Sequence, residues 1–180
     1  KQQGIDVVAG YIEPHARPKT AALLNGLEVL PTREVLYNGM ILNEFDIDMA
    51  LKRKPQLILV DELAHTNAEG CRHAKRYQDI KELLNAGIDV YTTVNVQHIE
   101  SLCDTVSSIT EIVVQERIPD SLFDNADQVE LIDIEPQDLI DRLNTGNVYR
   151  QTQAKQVVEN FFTIENLTAL REIALRRCAD

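Results

Sequence analysis

Long apolar runs and targeting segments are missing from this sequence of 180 residues. No stretch reaches the roughly 18 consecutive apolar residues that a membrane-spanning helix needs. The first residues, Lys1-Gln2-Gln3-Gly4, are not followed by the apolar core of a signal peptide. The three cysteines are odd in number and far apart, which favours reduced thiols over a disulfide framework. We therefore expect a soluble, intracellular chain, long enough to bury one hydrophobic core.

Positive charge is also scarce, because 18 Lys and Arg stand against 29 Asp and Glu, for a formal net charge of -11. An acidic chain repels a phosphate backbone, so we expect no nucleic-acid partner. Ten acidic residues and one arginine lie between Glu111 and Asp141, a pattern typical of a solvated face. The short run Arg72, His73, Lys75, Arg76 is instead cationic, as the binding of a small anion requires.

Strand and helix patterns alternate along the chain, which predicts a parallel α/β architecture. We expect a mostly parallel sheet with helices on both faces, in a single domain over 1–180, with a helical C-terminal extension over 151–180. The apolar and β-branched runs predict strands over 5–11, 35–37, 57–60, 89–94, 111–114 and 129–134. The helical patterns cover 20–26, 46–54, 76–85, 97–107, 152–162, 167–177 and a helix that opens at Pro136.

Two glycine-rich phosphate-binding motifs are absent. None of the seven glycines precedes a lysine, so there is no Walker A loop, and no Gly-x-Gly-x-x-Gly occurs, which excludes a Rossmann dehydrogenase. A response-regulator receiver is excluded as well, because Gln115 and Glu116, not a lysine, follow the predicted strand over 111–114. Lys1 to Gly4 resembles the last turn of a helix with its capping glycine, so we expect a further segment of the fold upstream of residue 1.

One segment carries a recognisable chemical pattern. Leu57-Ile58-Leu59-Val60-Asp61-Glu62 is an apolar strand ending in two carboxylates, as in the Walker B segment of P-loop NTPases. At the end of a buried strand, Asp61 can orient Mg²⁺ and its waters beside nucleotide phosphates, and Glu62 can polarise a water. Many strands of α/β proteins end in an acidic residue merely because the strand reaches solvent there. The pattern alone is therefore a weak signal.

Further polar residues follow the same strand and the next one. Side chains that follow parallel strands meet at the carboxyl edge of the sheet, where open α/β folds bind ligands. The candidate nucleotide-binding residues are Asp61, Glu62, His65, Thr66, Asn67, Arg72, Lys75, Arg76, Thr93 and Asn95, with Asp61 also the candidate Mg²⁺ ligand. The three basic side chains would meet phosphate oxygens or an acidic partner, and a solvated loop explains them about as well. For Asn95 we favour capping of the following helix.

The remaining histidines and cysteines give no site. No histidine precedes an acidic residue, as a kinase phosphoacceptor usually does, so we expect none here. The spacing of His65, Cys71 and His73 matches no standard zinc pattern. The sequence assigns no role to Cys71, Cys103 or Cys178.

Longer blocks resemble the KdpD family of bacterial sensor histidine kinases for potassium limitation. The resemblance covers essentially the whole chain and is carried by Gly10-Tyr11 with Glu13, His15, Arg17-Pro18 and Thr20, then Asp61 to Asn67 with Gly70, Arg72-His73, Lys75-Arg76-Tyr77 and Asp79, Gly87 to His98, Glu100-Ser101-Leu102, Pro119-Asp120-Ser121, Asn160-Phe161-Phe162 and Asn166 to Glu172. Blocks of this length are far more specific than any short motif.

The resemblance implies a fold, a cofactor and a context. The amino-terminal domain of such kinases resembles a P-loop NTPase that binds ATP and Mg²⁺, its Walker A loop just upstream of the segment that corresponds to residue 1. A universal-stress-protein-like domain, transmembrane helices of the inner membrane and the kinase core follow. The family phosphorylates a histidine with ATP and passes the phosphoryl group to the response regulator KdpE, which controls a potassium-uptake ATPase.

Two functions follow as expectations. One is a cytoplasmic regulatory domain that binds ATP-Mg and modulates the parent kinase. The other is a non-catalytic interaction module with a vestigial nucleotide site, whose cationic run and acidic stretch dock other domains of the same polypeptide.

Overall fold

The computed structural model describes residues 3–13, 18–144 and 161–179. It divides the chain into two units, Lys1–Val94 and Asn95–Asp180. The division does not decide whether residues 1–180 act as one domain, which stays a prediction. Most of the predicted helix over 152–162 lies outside the described residues.

A four-stranded parallel sheet forms the centre of the first unit. In chain order this unit contains β1 (Val7–Tyr11), α1 (Pro18–Ala22), β2 (Glu28–Val29), β3 (Arg33–Tyr37), β4 (Met40–Glu44), α2 (Ile47–Arg53), β5 (Leu57–Val60), α3 (Arg76–Asn85) and β6 (Asp89–Thr92). The strand order in the sheet is β2-β1-β5-β6, which confirms the predicted α/β class.

The continuous apolar pattern of β5 fits its position, because this strand has a parallel neighbour on each side. Ile58 and Val60 are buried with Val8 and Ala9 of β1. The chain passes from β1 to β2 on one side and from β5 to β6 on the other, so the strand order changes direction between β1 and β5. The crevice at the carboxyl ends of two such strands is the usual ligand position in open α/β sheets.

The ladder between β1 and β5 contains a bulge at Gly10. Ala9 pairs with Leu59 and Tyr11 pairs with Val60, so Gly10 is an extra residue in β1. The bulge gives Tyr11 the position opposite Val60, which Gly10 would hold in an unbroken ladder. A β-bulge therefore directs Tyr11 at the carboxyl edge of the sheet.

The predicted strand over 35–37 is present, but it belongs to a separate antiparallel hairpin of β3 and β4. Asn38 and Gly39 have φ values of 48° and 78°, as a type I′ turn requires. The two-residue turn pairs Tyr37 with Met40, so the strand returns antiparallel at once.

Helix α2 ends as its sequence predicts. Asp46 is the N-cap, and its side chain accepts a hydrogen bond from the N–H of Met49 at 3.0 Å. Lys54 ends the helix in the left-handed conformation, and its N–H donates to the carbonyl of Ala50.

The second unit is helical in its described residues. It contains two short 3₁₀ turns, Val96–His98 and Glu100–Leu102, and then α4 (Cys103–Thr110), α5 (Asp120–Asp124), α6 (Pro136–Asn144) and α7 (Ile164–Ala179). Helix α7 packs against α4 and α6. Val106 of α4 and Leu170 of α7 are buried with Val114 in one apolar cluster. No helix of the described ranges combines the length and the apolar character that a membrane crossing needs.

Three predicted elements of this unit differ from the structure. The strands over 111–114 and 129–134 are wrong, because these segments run without regular secondary structure and pair with no strand in the described part of the chain. Glu111 has a φ of 59° and ends α4, and Val113 is 65% exposed, so the β-branched run covers only part of a core. The predicted helix over 97–107 begins as 3₁₀ turns and becomes α-helical at Cys103.

Candidate functional site

Asp61 lies where three strands of the first unit end. Its Oδ1 accepts hydrogen bonds from the Thr93 hydroxyl and from the N–H of Glu62, the latter at 3.1 Å. Its Oδ2 lies 3.4 Å from the N–H of Glu13, which follows β1. Because Thr93 follows β6, the carboxylate is held by residues after β1, β5 and β6. Asp61 and Thr93 were both predicted for this edge, and the structure brings them into contact.

Glu62 has an unusual backbone. Its φ of 58° is in the left-handed region, which residues other than glycine adopt infrequently. Its carboxylate lies 3.6 Å from a guanidinium nitrogen of Arg76 and 4.0 Å from Nδ1 of His65. The side chain thus turns back towards the loop that follows β5.

Residues 61–76 form a loop that closes on itself. The N–H of Asn67 donates to the carbonyl of Ala74 at 3.0 Å, and the N–H of Arg76 donates to the carbonyl of His65 at 3.1 Å. Nζ of Lys75 lies 2.6 Å from the hydroxyl of Thr66. The predicted residues of this segment are therefore gathered by the backbone of one loop.

Asn67 connects the two halves of this loop. Its Nδ2 donates to the carbonyl of His73 at 3.0 Å and to the carboxylate of Asp79 at 2.7 Å, while its buried Oδ1 has no hydrogen-bond partner among the described residues. Burial raises the pKa of Asp79 and outweighs the hydrogen bonds from His73 and Asn67, which lower it. The amide of Asn67 is thus engaged with the loop itself.

The guanidinium of Arg76 is completely buried. It donates to Glu44 at 3.1 Å and to the carbonyl of Asp61 at 3.2 Å, and it stacks on the ring of Tyr11 with its carbon 4.1 Å from the ring centroid. A buried charge needs such partners, because its desolvation is costly. The structure therefore places this arginine under the loop and not on its surface.

Arg72 and Asn95 each have other partners. Arg72 is exposed and forms ion pairs with Asp48 and Glu82, each at 2.6 Å. Asn95 belongs to the second unit, at the N-cap of the first 3₁₀ turn, where its carbonyl accepts from the N–H of His98 at 3.0 Å. Its side chain makes no capping hydrogen bond within the described residues.

Three residues that are not among the predicted binding residues belong to this site. Tyr11 and Glu13 lie at the carboxyl end of β1, the parallel neighbour of β5. The rule that placed Asp61 at the ligand-binding edge of the sheet could therefore have placed them there as well. Burial raises the pKa of the Tyr11 hydroxyl to about 12, despite the opposing charge of Arg76. No local pattern marks Glu44, the buried last residue of β4.

Glu44 is a buried acceptor for the loop. Burial raises its pKa, but hydrogen bonds from His65 and from the N–H of Ala68, with the charges of His65 and Arg76, outweigh burial and lower it overall. Both of its oxygens lie 3.1 Å from Nε2 of His65, and one of them accepts from Ala68 at 2.9 Å. The carboxylate is therefore ionised and fully used in the fold at neutral pH.

The described residues contain no group of three or more His, Cys, Asp or Glu side chains arranged to hold a metal ion. Asp61 offers carboxylate oxygens beside the hydroxyl of Thr93, and Mg²⁺ prefers such hard oxygen ligands. Mg²⁺ is usually held by one or two carboxylates together with substrate phosphates, so this donor set fits a nucleotide-bound ion and not a closed protein cage.

Comparison with known proteins identifies the family. The family model described as the KdpD osmosensitive K⁺ channel His kinase sensor domain matches residues 1–180. The chain belongs to the KdpD sensor-domain family. This confirms the resemblance that the motifs of the KdpD family suggested.

Curated relatives of the KdpD family match over the whole chain. The sensor protein KdpD of Clostridium acetobutylicum is 61% identical over 180 residues, which are 100% of this chain and 20% of that protein. The sensor protein KdpD of Escherichia coli is 58% identical with the same coverage. The putative sensor protein KdpD of Synechocystis sp. is 51% identical over 180 residues, again 100% of this chain and 49% of that protein. The chain thus spans about a fifth of the first two relatives and about half of the third.

Proposed function

We propose that this chain is the cytoplasmic regulatory domain of a two-component sensor histidine kinase and that it binds ATP with Mg²⁺. In this proposal the bound nucleotide modulates the parent kinase, an inner-membrane protein in bacteria that phosphorylates the response regulator KdpE. The other cytoplasmic domains of the same kinase are the direct partners. None of the seven glycines in residues 1–180 precedes a lysine, so these residues contribute no Walker A loop to the site.

The convergence on Asp61 supports this proposal most strongly. A carboxylate that follows the buried strand β5 is held by the hydroxyl of Thr93, beside the point where the strand order changes direction. This is the position at which open α/β sheets bind ligands. A carboxylate there has the chemistry to orient a hydrated Mg²⁺ next to phosphate oxygens.

Each residue of the group has a defined task in this proposal. Asp61 would hold Mg²⁺, which neutralises phosphate charge when the nucleotide is bound. Thr93 keeps the Asp61 carboxylate in one orientation through its hydroxyl. Lys75 lies next to Thr66 in the loop, and its ammonium can meet a phosphate oxygen as a point charge.

Nucleotide titration of the full-length protein tests the proposal. The full-length protein carries an inactivating substitution in the ATP site of its kinase core, so that only binding elsewhere is measured. A fluorescent ATP analogue is titrated with and without Mg²⁺ into this protein and into its Asp61→Asn and Asp6→Asn variants. Asp6 is the matched control. Its carboxylate also accepts hydrogen bonds, from Arg53, but Asp6 precedes β1 and therefore lies at the opposite edge of the sheet. We expect Asp61→Asn to lose roughly ten- to a hundredfold of the Mg²⁺-dependent affinity, as for a charged hydrogen-bonding group.

Two results of this titration contradict the proposal. If the protein with the inactivated kinase-core site and no other change shows no saturable binding, the domain is not a nucleotide sensor. If Asp61→Asn and Asp6→Asn lose the same small amount, the carboxylate after β5 does not hold the metal.

A second candidate function is the interaction module with a vestigial nucleotide site. The internal ion pairs of Arg72 and the burial of Arg76 favour it, because two of the predicted phosphate contacts are engaged within the fold. Leu36 and Ile41 pair across the hairpin with 74% and 63% of their surfaces exposed. Docking is supported instead if Leu36→Lys changes the kinase activity of the full-length protein without altering ATP binding. In that case Asp61→Asn should leave the kinase activity unchanged.

A further inference from the structure

Arg76 occupies a position that suits positioning better than ligand binding. It is the first residue of α3, and none of its side chain is exposed. Its Nε is buried without a hydrogen-bond partner among the described residues, so the guanidinium is held by its two terminal nitrogens. A ligand phosphate has no direct access to this group.

One of these nitrogens contacts the backbone of the candidate site. The bond of 3.2 Å from Arg76 is accepted by the carbonyl of Asp61, which belongs to the peptide that joins Asp61 to Glu62. The N–H of the same peptide donates to the Asp61 carboxylate and lies 3.2 Å from the hydroxyl of Thr93. Both polar groups of this peptide are therefore fixed.

The fixed peptide matters because the residue after it is strained. The left-handed conformation costs residues other than glycine about 1–2 kcal/mol, and Glu62 adopts it with a φ of 58°. Rotation of the preceding peptide would relieve the strain and would break the hydrogen bond that its N–H donates to the Asp61 carboxylate. The bond from Arg76 to the Asp61 carbonyl opposes that rotation.

Glu44 holds Arg76 in place and joins it to the loop. Its carboxylate is 4% exposed and accepts from Arg76, from the N–H of Ala68 and from His65 when Nε2 carries a proton. These contacts join the beginning, the middle and the end of the loop to the last residue of β4. The ion pair is thus the inner support of the segment that carries the candidate site.

We propose that Arg76 and Glu44 form a positioning pair that fixes the Asp61–Glu62 peptide and thereby holds the Asp61 carboxylate towards the nucleotide site. The pair touches no ligand. This inference rests on the proposed function for its purpose, but its structural content is measurable without nucleotide.

Amide hydrogen exchange of the full-length protein tests the positioning directly. In Arg76→Met we expect the N–H groups of Glu62 and Leu63 to exchange roughly ten- to a hundredfold faster, as loss of a charge-assisted hydrogen bond predicts. Arg76→Lys keeps the positive charge but lacks the planar guanidinium that donates from two nitrogens. Its exchange rates at Glu62 and Leu63 should therefore lie between those of the wild type and of Arg76→Met. Arg53→Met is the matched control, because it breaks a bidentate ion pair with Asp6 at the opposite edge.

A double variant separates positioning from general stability. Arg76→Met alone leaves the buried charge of Glu44 without its arginine, and adding Glu44→Gln removes that charge while an oxygen remains for Ala68. We expect the double variant to regain thermal stability while exchange at Glu62 and Leu63 stays fast. Recovery of slow exchange together with stability would overturn the proposal, as would exchange in Arg76→Met no faster than in Arg53→Met.

Nucleotide binding by the same variants keeps the two hypotheses apart. If the wild type binds ATP, Arg76→Met should lower the Mg²⁺-dependent part of the affinity by about tenfold, and Arg53→Met should not. Equal losses in both variants contradict the aiming role. Absence of wild-type binding contradicts the proposed function and with it the purpose of the pair, while the exchange data still decide whether the pair fixes the peptide.

Discussion

Gly10 gives the sharpest test of the packing around the sheet. A Cβ built at Gly10 would lie 2.7 Å from Cδ1 of Ile58 and 2.9 Å from Cε2 of Phe45. Ile58 and Phe45 are themselves buried, so neither can move into solvent to make room. The φ of Gly10 is not in the left-handed region, so backbone strain adds nothing to the effect of Gly10→Ala.

The magnitude follows from two opposing contributions. Overpacking a filled core costs about 1–3 kcal/mol. Replacing glycine by alanine also stabilises by about 0.4–1 kcal/mol, because the unfolded chain loses conformational freedom. We therefore expect Gly10→Ala to lower the free energy of unfolding by about 1–2 kcal/mol, with a fall in Tm of roughly 2–4 °C per kcal/mol for a chain of this size.

Urea unfolding followed by circular dichroism measures this effect on residues 1–180. The companion variant Ile58→Val removes the Cδ1 methyl that lies closest to the added carbon. Alone, Ile58→Val should cost about 0.5–1.5 kcal/mol for its cavity. Combined with Gly10→Ala it should cost clearly less than the two single changes together, because the methyl groups compete for one volume.

Two outcomes would refute the reasoning about Gly10. An unchanged unfolding midpoint for Gly10→Ala would mean that the sheet yields easily at the bulge. Additive losses in the double variant would mean that the Cδ1 methyl of Ile58 is not the group that resists the added carbon.

Two further substitutions test the helix end and the buried carboxylate. Lys54→Gly should stabilise the protein by about 0.5–1 kcal/mol, because Lys54 ends α2 with a φ of 49°, which glycine adopts without strain. Lys52→Gly, within the helix, should instead destabilise it by about 1 kcal/mol. The urea unfolding midpoints of the two variants measure both effects. Glu44→Gln should make the free energy of unfolding depend less on pH in the acid range. Because folding lowers the pKa of Glu44, its ionised carboxylate stabilises the fold at pH values above the ordinary pKa of 4.5, and this contribution is lost as the pH falls through the folded-state pKa. The stability difference between wild type and Glu44→Gln should therefore shrink as the pH falls below the ordinary value of 4.5, and a difference that stays constant would contradict this prediction.

The parts of the fold that local rules govern could be predicted. Strand β5 is continuously apolar because it has neighbours on both sides, and α3 follows its helical pattern. The pair Asn38-Gly39 announced a turn, because both residues tolerate positive φ. These features depend on a few neighbouring residues, so the sequence alone is enough to predict them.

The predicted strand over 129–134 is wrong, because a strand needs a neighbouring strand to pair with, and the composition of the segment does not show whether one is present. Ile132 is 83% exposed, and Asp133 beside it pairs with Arg171 of α7 at 2.6 Å. The β-branched residues of the segment matched a strand pattern. A distant arginine instead holds the segment against a helix, and no local pattern announces that pairing.

The candidate site shows the same division. That Asp61 and Thr93 meet follows from the ends of adjacent parallel strands. The burial of Arg76 could not be read from its cationic run, because it depends on Glu44, which lies 32 residues earlier on the hairpin. Charge patterns report how many cations a segment has, and tertiary contacts decide which of them reach solvent.

The left-handed backbone at Glu62 has a consequence for engineering this domain. Glycine or asparagine would adopt that conformation at lower cost than glutamate. A selection for thermal stability alone therefore rewards loss of the carboxylate at this position. Variant libraries that are selected for stability should therefore keep Glu62 constant. Otherwise selection will replace this candidate site residue with one that adopts the left-handed conformation at lower cost.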